Sequence, residues 1–141
     1  MTFKFNTGYV YAKALIGMGY TQVSVTGVSS MFSQDEFEGD VSLGSTTVYP
    51  NVNDVRVKAQ EYATKQCWYE VRKLRDIHLQ ESDYVVNIAS ETGAVVSDGW
   101  KSYRQGLRDI TKQDVNNLVW PTHPEGNQVG FQTGYEPSTE I

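Results

Sequence analysis

Two arginines in the stretch WKSYRQGLRDI are the residues of this sequence best suited to chemistry. Arg104 and Arg108 are four residues apart, and on a helix that spacing puts both guanidinium groups on one face. Such a pair suits the carboxylate or phosphate group of a ligand or a partner protein. The alternative is an exposed helix flank on which Asp109 and nearby acids satisfy the two arginines, and the sequence favours this alternative.

The acidic stretch SQDEFEGD is a second candidate site. It gathers four carboxylates around Phe37, and carboxylate oxygens are the ligands that hard cations prefer. The spacing fits no calcium-binding loop, so the stretch is predicted to be a solvent-exposed acidic turn. A small hydrolase that uses these carboxylates is the only enzyme that the sequence suggests.

The histidines and the cysteine of the chain indicate neither a metal site nor a catalytic site. His78 and His123 are the only histidines, and neither has a ligand-type neighbour at metal spacing. The single Cys67 excludes an intrachain disulfide and is predicted to be a buried, small apolar residue. Since no nucleophile motif such as G-x-S-x-G is present either, we predict a protein without a catalytic, cofactor or metal site.

Composition limits the size of the protein and its partners. A chain of 141 residues, 39% of them hydrophobic, suffices for one modest domain with appendages. The chain has a net charge of −5, so on average it lacks the basic surface that nucleic-acid binding requires. No apolar run reaches the roughly 20 residues that span a membrane, and the start lacks the apolar block of a secretory signal. We therefore expect neither nucleic acid nor membrane as a partner, and we expect the protein to act where it is made or in a particle assembled there.

The first fifty residues have the composition of strands and loops. The stretch YTQVSVTG alternates Thr21, Val23 and Val25 with polar residues, which predicts a strand. VSLGSTTVYP is a second strand candidate. GYVYAKALIGMG is compatible with a strand or a helix, and a short helix over residues 9–16 is favoured.

A long helix is predicted over residues 54–78, capped by Asn51 or Asn53. Its apolar stripe recurs at spacings of four and three and consists of Val55, Ala59, Ala63, Cys67, Val71, Leu74 and His78. Further apolar residues lie off this stripe: Val57, Tyr62, Trp68 and Tyr69. Either the β-rich segment or a second partner such as another chain covers them, so Trp68 and Tyr69 are candidate docking residues.

A short helix is predicted over residues 99–110, with Asp98 as its N-cap. Trp100, Tyr103, Leu107 and Ile110 share one side of it. An aromatic stripe of this kind is more often core than ligand site, so these residues are expected to pack on the long helix, with Trp120 folding back over both. The two helices are then a hairpin joined by the connector 79–97.

These elements define an α+β protein: a small β-rich N-terminal segment, then a helical hairpin, then an extended C-terminal tail. The predicted division is a β-rich attachment segment at 1–50, a helical domain at 51–122 and an extended acidic tail at 123–141.

The segment ESDYVVNIASETGAVVSDGWKSYRQGLRDITKQDVNNLVWP resembles the tail assembly chaperone-like domain of bacteriophage tail and tail-fibre assembly proteins. The resemblance covers about residues 54–122. Its matching positions are Arg72, Leu74, Arg75, Ser82, Asp83, Tyr84, Trp100, Tyr103, Arg104, Gln105, Leu107, Arg108, Asp109, Ile110, Val119, Trp120 and Pro121. Two features depart from the family pattern: Tyr84 replaces the usual tryptophan, and the connector is richer in glycine.

The resemblance implies a phage protein without catalysis, whose partners are other tail or tail-fibre proteins or a second copy of itself. Such a protein acts in the host cytoplasm during assembly, and in the virion tail if it is retained. We expect a structural or adaptor component of the virion tail or tail-fibre region. The alternative is a transient assembly chaperone that is absent from the mature virion.

Overall fold

A computed structural model describes residues 2–4, 7–26, 33–46, 48–132 and 136–138. The chain divides into two compact units. The N-terminal unit comprises residues 2–66 and 137–141, and the C-terminal unit comprises residues 67–136. The α+β class predicted from the sequence is confirmed, since helices predominate and a small antiparallel sheet lies near the N-terminus.

The N-terminal unit is built from short elements around the first part of a long helix. In chain order these are β1 (Thr2–Lys4), α1 (Thr7–Gly17), β2 (Val23–Val25), α2 (Gln34–Asp40), β3 (Val41–Leu43) and the beginning of α3 (Val52–Glu81). A final strand, β4 (Glu136–Ser138), is the neighbour of β1 in a two-stranded sheet. The short helix predicted at 9–16 is confirmed by α1, and both predicted strands are present, each three residues long.

β2 and β3 form an antiparallel ribbon whose register sets its buried face. Val23 pairs with Leu43, and Val25 pairs with Val41. Because side chains alternate along a strand, Val41 and Leu43 are both buried while Ser42 between them is exposed. The core of this unit also contains Val10, Tyr11, Ala14, Leu15, Phe37, Val52, Val55, Ala59 and Ala63.

The acidic stretch SQDEFEGD is a helix, α2, and the prediction of a solvent-exposed turn was wrong. Ser33 forms a capping box, in which its hydroxyl accepts the Glu36 backbone N–H and the Glu36 carboxylate accepts the Ser33 N–H, each at 3.2 Å. Phe37 is fully buried. The Gln34 side chain accepts the Val52 N–H at 2.8 Å and donates to the Pro50 carbonyl at 2.9 Å, which ties α2 to the start of α3.

Replacing Ser33 by alanine is expected to destabilise α2 by about 1 kcal/mol, because the Glu36 backbone N–H loses the hydroxyl that accepts it. Amide hydrogen exchange within residues 34–40 measures this loss directly. Ser24→Ala, at an exposed position of β2, is the matched control and should leave these rates unchanged. Equal exchange in the Ser33 variant and the wild type would contradict a role for the capping box.

The predicted long helix is confirmed by α3, which is longer than expected at both ends. Asn51 is the residue that caps it, since its side-chain oxygen accepts the Asn53 N–H at 2.9 Å. The predicted stripe faces inward along most of the helix. Its first five members, Val55, Ala59, Ala63, Cys67 and Val71, are fully buried, while Leu74 and His78 are half-buried.

The C-terminal unit contains the end of α3, then α4 (Asp83–Thr92), α5 (Asp98–Asp109), a 3-10 turn (Ile110–Lys112) and an irregular chain. The predicted short helix is confirmed by α5, but Ser97 occupies the N-cap position and Asp98 is the first helical residue. The connector 79–97 is also corrected, because it contains the helix α4, whose C-cap residue Gly93 has a left-handed φ of 71°. None of the described helices has the length and apolar character needed to cross a membrane.

Candidate functional site

The apolar face of α5 forms the centre of the C-terminal unit. Tyr103, Leu107 and Ile110 are 2%, 0% and 0% exposed. Trp100, at the start of the same stripe, is only half-buried. The residues of the stripe therefore become more deeply buried toward the end of the helix, and Trp100 in its first turn remains partly exposed to solvent.

Trp100 belongs to an aromatic cluster at this end of α5. The ring of His123 lies 5.0 Å from the rings of both Trp100 and Tyr103, and Trp100 also contacts Tyr84 of α4 at 6.1 Å, all with edge-to-face geometry. Burial and, secondarily, the carboxylate of Glu81 raise the pKa of the Tyr103 hydroxyl. The sequence did not single out His123 for packing, because a lone histidine in a loop carries no periodic signal.

Trp120 contacts a different part of the unit from Trp100. It is half-buried, with its ring centre 6.2 Å from that of His78 on α3 and 5.9 Å from that of Phe131. The backbone N–H of Gly130 donates to His78 Nε2 at 3.1 Å, and a Cβ at Gly130 would lie 2.6 Å from Trp120. Trp120 thus folds back on the long helix, and it holds the irregular chain against that helix.

Gly106 allows Pro121 to pack closely against α5. A Cβ at Gly106 would meet the Cβ of Pro121 at 2.8 Å, so Pro121 lies directly on the backbone of the helix. A glycine inside a helix costs about 1 kcal/mol relative to alanine. Here it permits a close approach that a larger residue would block.

Arg104 points into the unit rather than along an exposed flank. Its side chain is 12% exposed. The guanidinium donates three hydrogen bonds: to the Leu79 carbonyl at 2.9 Å, to Ser82 Oγ at 2.6 Å and to Asp83 Oδ1 at 2.9 Å. This corrects the exposed position expected for Arg104. Its planar group spans the break between α3 and α4, where Ser82 is buried and also donates to the Leu79 carbonyl at 2.9 Å.

Arg108 lies on the exposed side of α5 and lines a groove of about 710 Å³. It makes no ion pair with any residue that the structure describes. Val86 of α4 and Val96 supply apolar walls, and Val86 is 40% exposed. The other residues that line the groove are Lys101, Ser102, Arg104, Gln105 and Gly106. Of the two arginines singled out in the sequence, Arg108 is therefore the accessible one.

Trp68 and Tyr69, the other docking candidates, lie on α3 and do not line this groove. Trp68 is half-buried, with the Arg72 guanidinium 5.8 Å from its ring centre. Tyr69 is 58% exposed.

Tyr62 and Val57, the other two apolar residues off the stripe, belong to the N-terminal unit. The Tyr62 hydroxyl lies 3.3 Å from that of Tyr9 on α1, and burial together with this contact raises the pKa of Tyr62 to about 12. Val57 is 58% exposed. The N-terminal unit thus covers Tyr62 but leaves Val57 in solvent.

The described residues contain no group of three or more histidine, cysteine, aspartate or glutamate side chains arranged to hold a metal ion. The carboxylates of α2 lie around a helix of seven residues, and Asp35, Glu36 and Glu38 are exposed. Lys112 and Gln105 bind the Asp109 carboxylate and lower its pKa.

Cys67 is fully buried on α3, and its burial raises the pKa of the thiol to about 11. We expect iodoacetamide to label the native protein far more slowly than the urea-unfolded protein at pH 8. Because the folded-state pKa is the higher one, the native state is also expected to lose stability as the pH rises from about 9 to about 11. Equal labelling rates for the folded and unfolded protein would contradict this.

Comparison with known families matches the C-terminal unit. Residues 68–125 fit the family model described as phage tail assembly chaperone protein. No curated protein and no solved structure matches the chain.

The match covers α4, α5, the aromatic cluster and the groove, and it supports a phage tail assembly chaperone-like domain in this part of the chain. The role it supports is therefore one in phage tail assembly.

Proposed function

We propose that this protein is a non-catalytic binding protein of the phage tail, and that its C-terminal unit holds another tail or tail-fibre protein during assembly in the host cell. The observation that carries the proposal is the groove beside Arg108, which lies within the part of the chain that matches the tail assembly family. The described residues that line the groove offer cations and apolar walls but no histidine, cysteine or carboxylate. Such a surface suits protein binding better than catalysis.

We further propose that the protein stays in the virion as a structural or adaptor component of the tail or tail-fibre region. The N-terminal unit supports this version, because it has its own buried core and lies almost wholly before the matched segment. A protein whose two units each have a buried core can bind one neighbouring tail protein with each unit. Nucleic acid and membrane are not among the partners we propose, and a second copy of the chain is a further candidate.

A transient assembly chaperone is the second candidate. The description of the matched family supports it, since it names a chaperone of tail assembly. In that role the protein binds its tail partner before assembly and leaves before the particle is complete.

Quantitative mass spectrometry of purified virions separates the two versions. An adaptor is expected at a fixed copy number relative to the other tail proteins, in particles that withstand a high-salt wash. Its absence from such particles, combined with its presence in lysates of infected cells, would overturn the adaptor version in favour of the transient one.

A further inference from the structure

The groove beside α5 has a charge opposite to that of the whole chain. Among the residues that the structure describes, three cations line it, Lys101, Arg104 and Arg108, and no carboxylate does, whereas the chain carries a net charge of −5. Asp83 already binds Arg104 at 2.9 Å, and Lys101 lies 4.0 Å from the exposed Asp98. Of the three cations that line the groove, Arg108 is thus the one that forms no ion pair with a described residue.

The same groove has an apolar side. Val86 and Val96 line it, and α4, which supplies Val86, has no buried residue and also exposes Tyr84 and Ile88. Apolar walls beside a guanidinium favour a peptide in which an apolar side chain and a carboxylate lie close together. A bare phosphate chain would leave the valines in contact with water.

We propose that the groove binds an acidic peptide segment of another phage tail protein, with an apolar side chain against Val86 and Val96 and a carboxylate on Arg108. This inference rests on the proposed function and names the class of partner segment. A nucleic acid is disfavoured, because the remaining surface of this acidic chain repels a long polyanion.

Site-specific photo-cross-linking in infected cells tests the proposal. The full-length chain carries p-benzoylphenylalanine at Val86 in the groove or, as a matched control, at Val119, which is 73% exposed in the same unit but does not line the groove. Mass spectrometry then identifies the cross-linked peptide. From position 86 we expect a single tail-protein segment with a net negative charge and an apolar residue at the point of attachment.

Charge variants complete the test. Arg108→Glu is expected to reduce cross-linking from position 86 on the order of tenfold, since an attraction becomes a repulsion, while Arg108→Lys keeps most of it. Unchanged melting curves for both variants show that the fold is intact.

Four results at position 86 would overturn the inference: a basic or neutral segment, nucleic acid, a second copy of this chain, or no cross-link. Cross-links to a tail protein from position 119 alone would overturn the proposed peptide binding in the groove but would agree with the proposed function. The absence of any tail protein from both positions would count against both.

Discussion

Replacing Arg104 by alanine is expected to lower the free energy of unfolding of the C-terminal unit by about 2–4 kcal/mol. The guanidinium makes three hydrogen bonds across the break between α3 and α4, to Leu79, Ser82 and Asp83. Each such bond to a charged donor contributes about 1.5–3 kcal/mol, and bonds made by one group do not add fully. The ion pair itself adds little, because the Asp83 side chain is 55% exposed.

Urea unfolding followed by tryptophan fluorescence measures this loss in the appropriate unit, since Trp68, Trp100 and Trp120 all lie within residues 67–136. Arg104→Lys keeps the charge but cannot reach three acceptors at once, so its stability should be intermediate. Arg108→Ala is the matched control on the exposed side of α5 and should change stability by less than about 0.5 kcal/mol. Equal effects of the Arg104 and Arg108 alanine variants would show that Arg104 does not hold the break between α3 and α4.

Replacing Tyr103 by alanine is expected to cost about 3–5 kcal/mol, the range found when large aromatic side chains are removed from a core. Tyr103 is 2% exposed and is a neighbour of both Trp100 and His123. Its removal leaves a cavity beside the α5 stripe and also breaks two edge-to-face contacts. Trp100→Ala should cost less, because Trp100 is only half-buried.

The same fluorescence-monitored unfolding tests this order of effects. Tyr103→Phe, which keeps the ring and removes only the hydroxyl, is the matched control and should stay within about 1 kcal/mol of the wild type. A Trp100 variant less stable than the Tyr103 variant would show that the half-buried start of the α5 stripe, and not its fully buried part, is the centre of the unit.

The two longest features of the fold were predictable because their periodicity is strong. The small and branched residues of α3 recur at helical spacing, and so do Tyr103, Leu107 and Ile110 of α5. The apolar residues of β2 and β3, Val23 and Val25 in one and Val41 and Leu43 in the other, alternate with serines and therefore predicted strands.

α2 and α4 were missed for different physical reasons. In α2 the capping pair Ser33 and Glu36 lies among other acids, and Gly39 within the helix favoured a turn. In α4 the β-branched Val85 and Val86 lower helix propensity, and no residue of the helix is buried. In α2 the capping box outweighed the composition of the segment, whereas in α4 the first residue, Asp83, accepts a hydrogen bond from Arg104 of α5.

The site was predicted in part. The sequence placed Arg104 and Arg108 on one helix, but four-residue spacing does not tell which of them points inward. Arg104 turns toward Ser82 and Asp83, and these acceptors are more than twenty residues away in sequence. The contact of Pro121 with Gly106 and the packing of His123 are also tertiary contacts that leave no local pattern.

Electron microscopy of particles made without this protein tests the central claim, a role in phage tail assembly, most directly. A phage with a stop codon early in this reading frame is grown in host cells with and without a plasmid that supplies the protein. Without the plasmid, we predict filled capsids whose tails or tail fibres are absent or incomplete, and with the plasmid, normal particles. Complete, infectious tailed particles made in its absence would contradict the account.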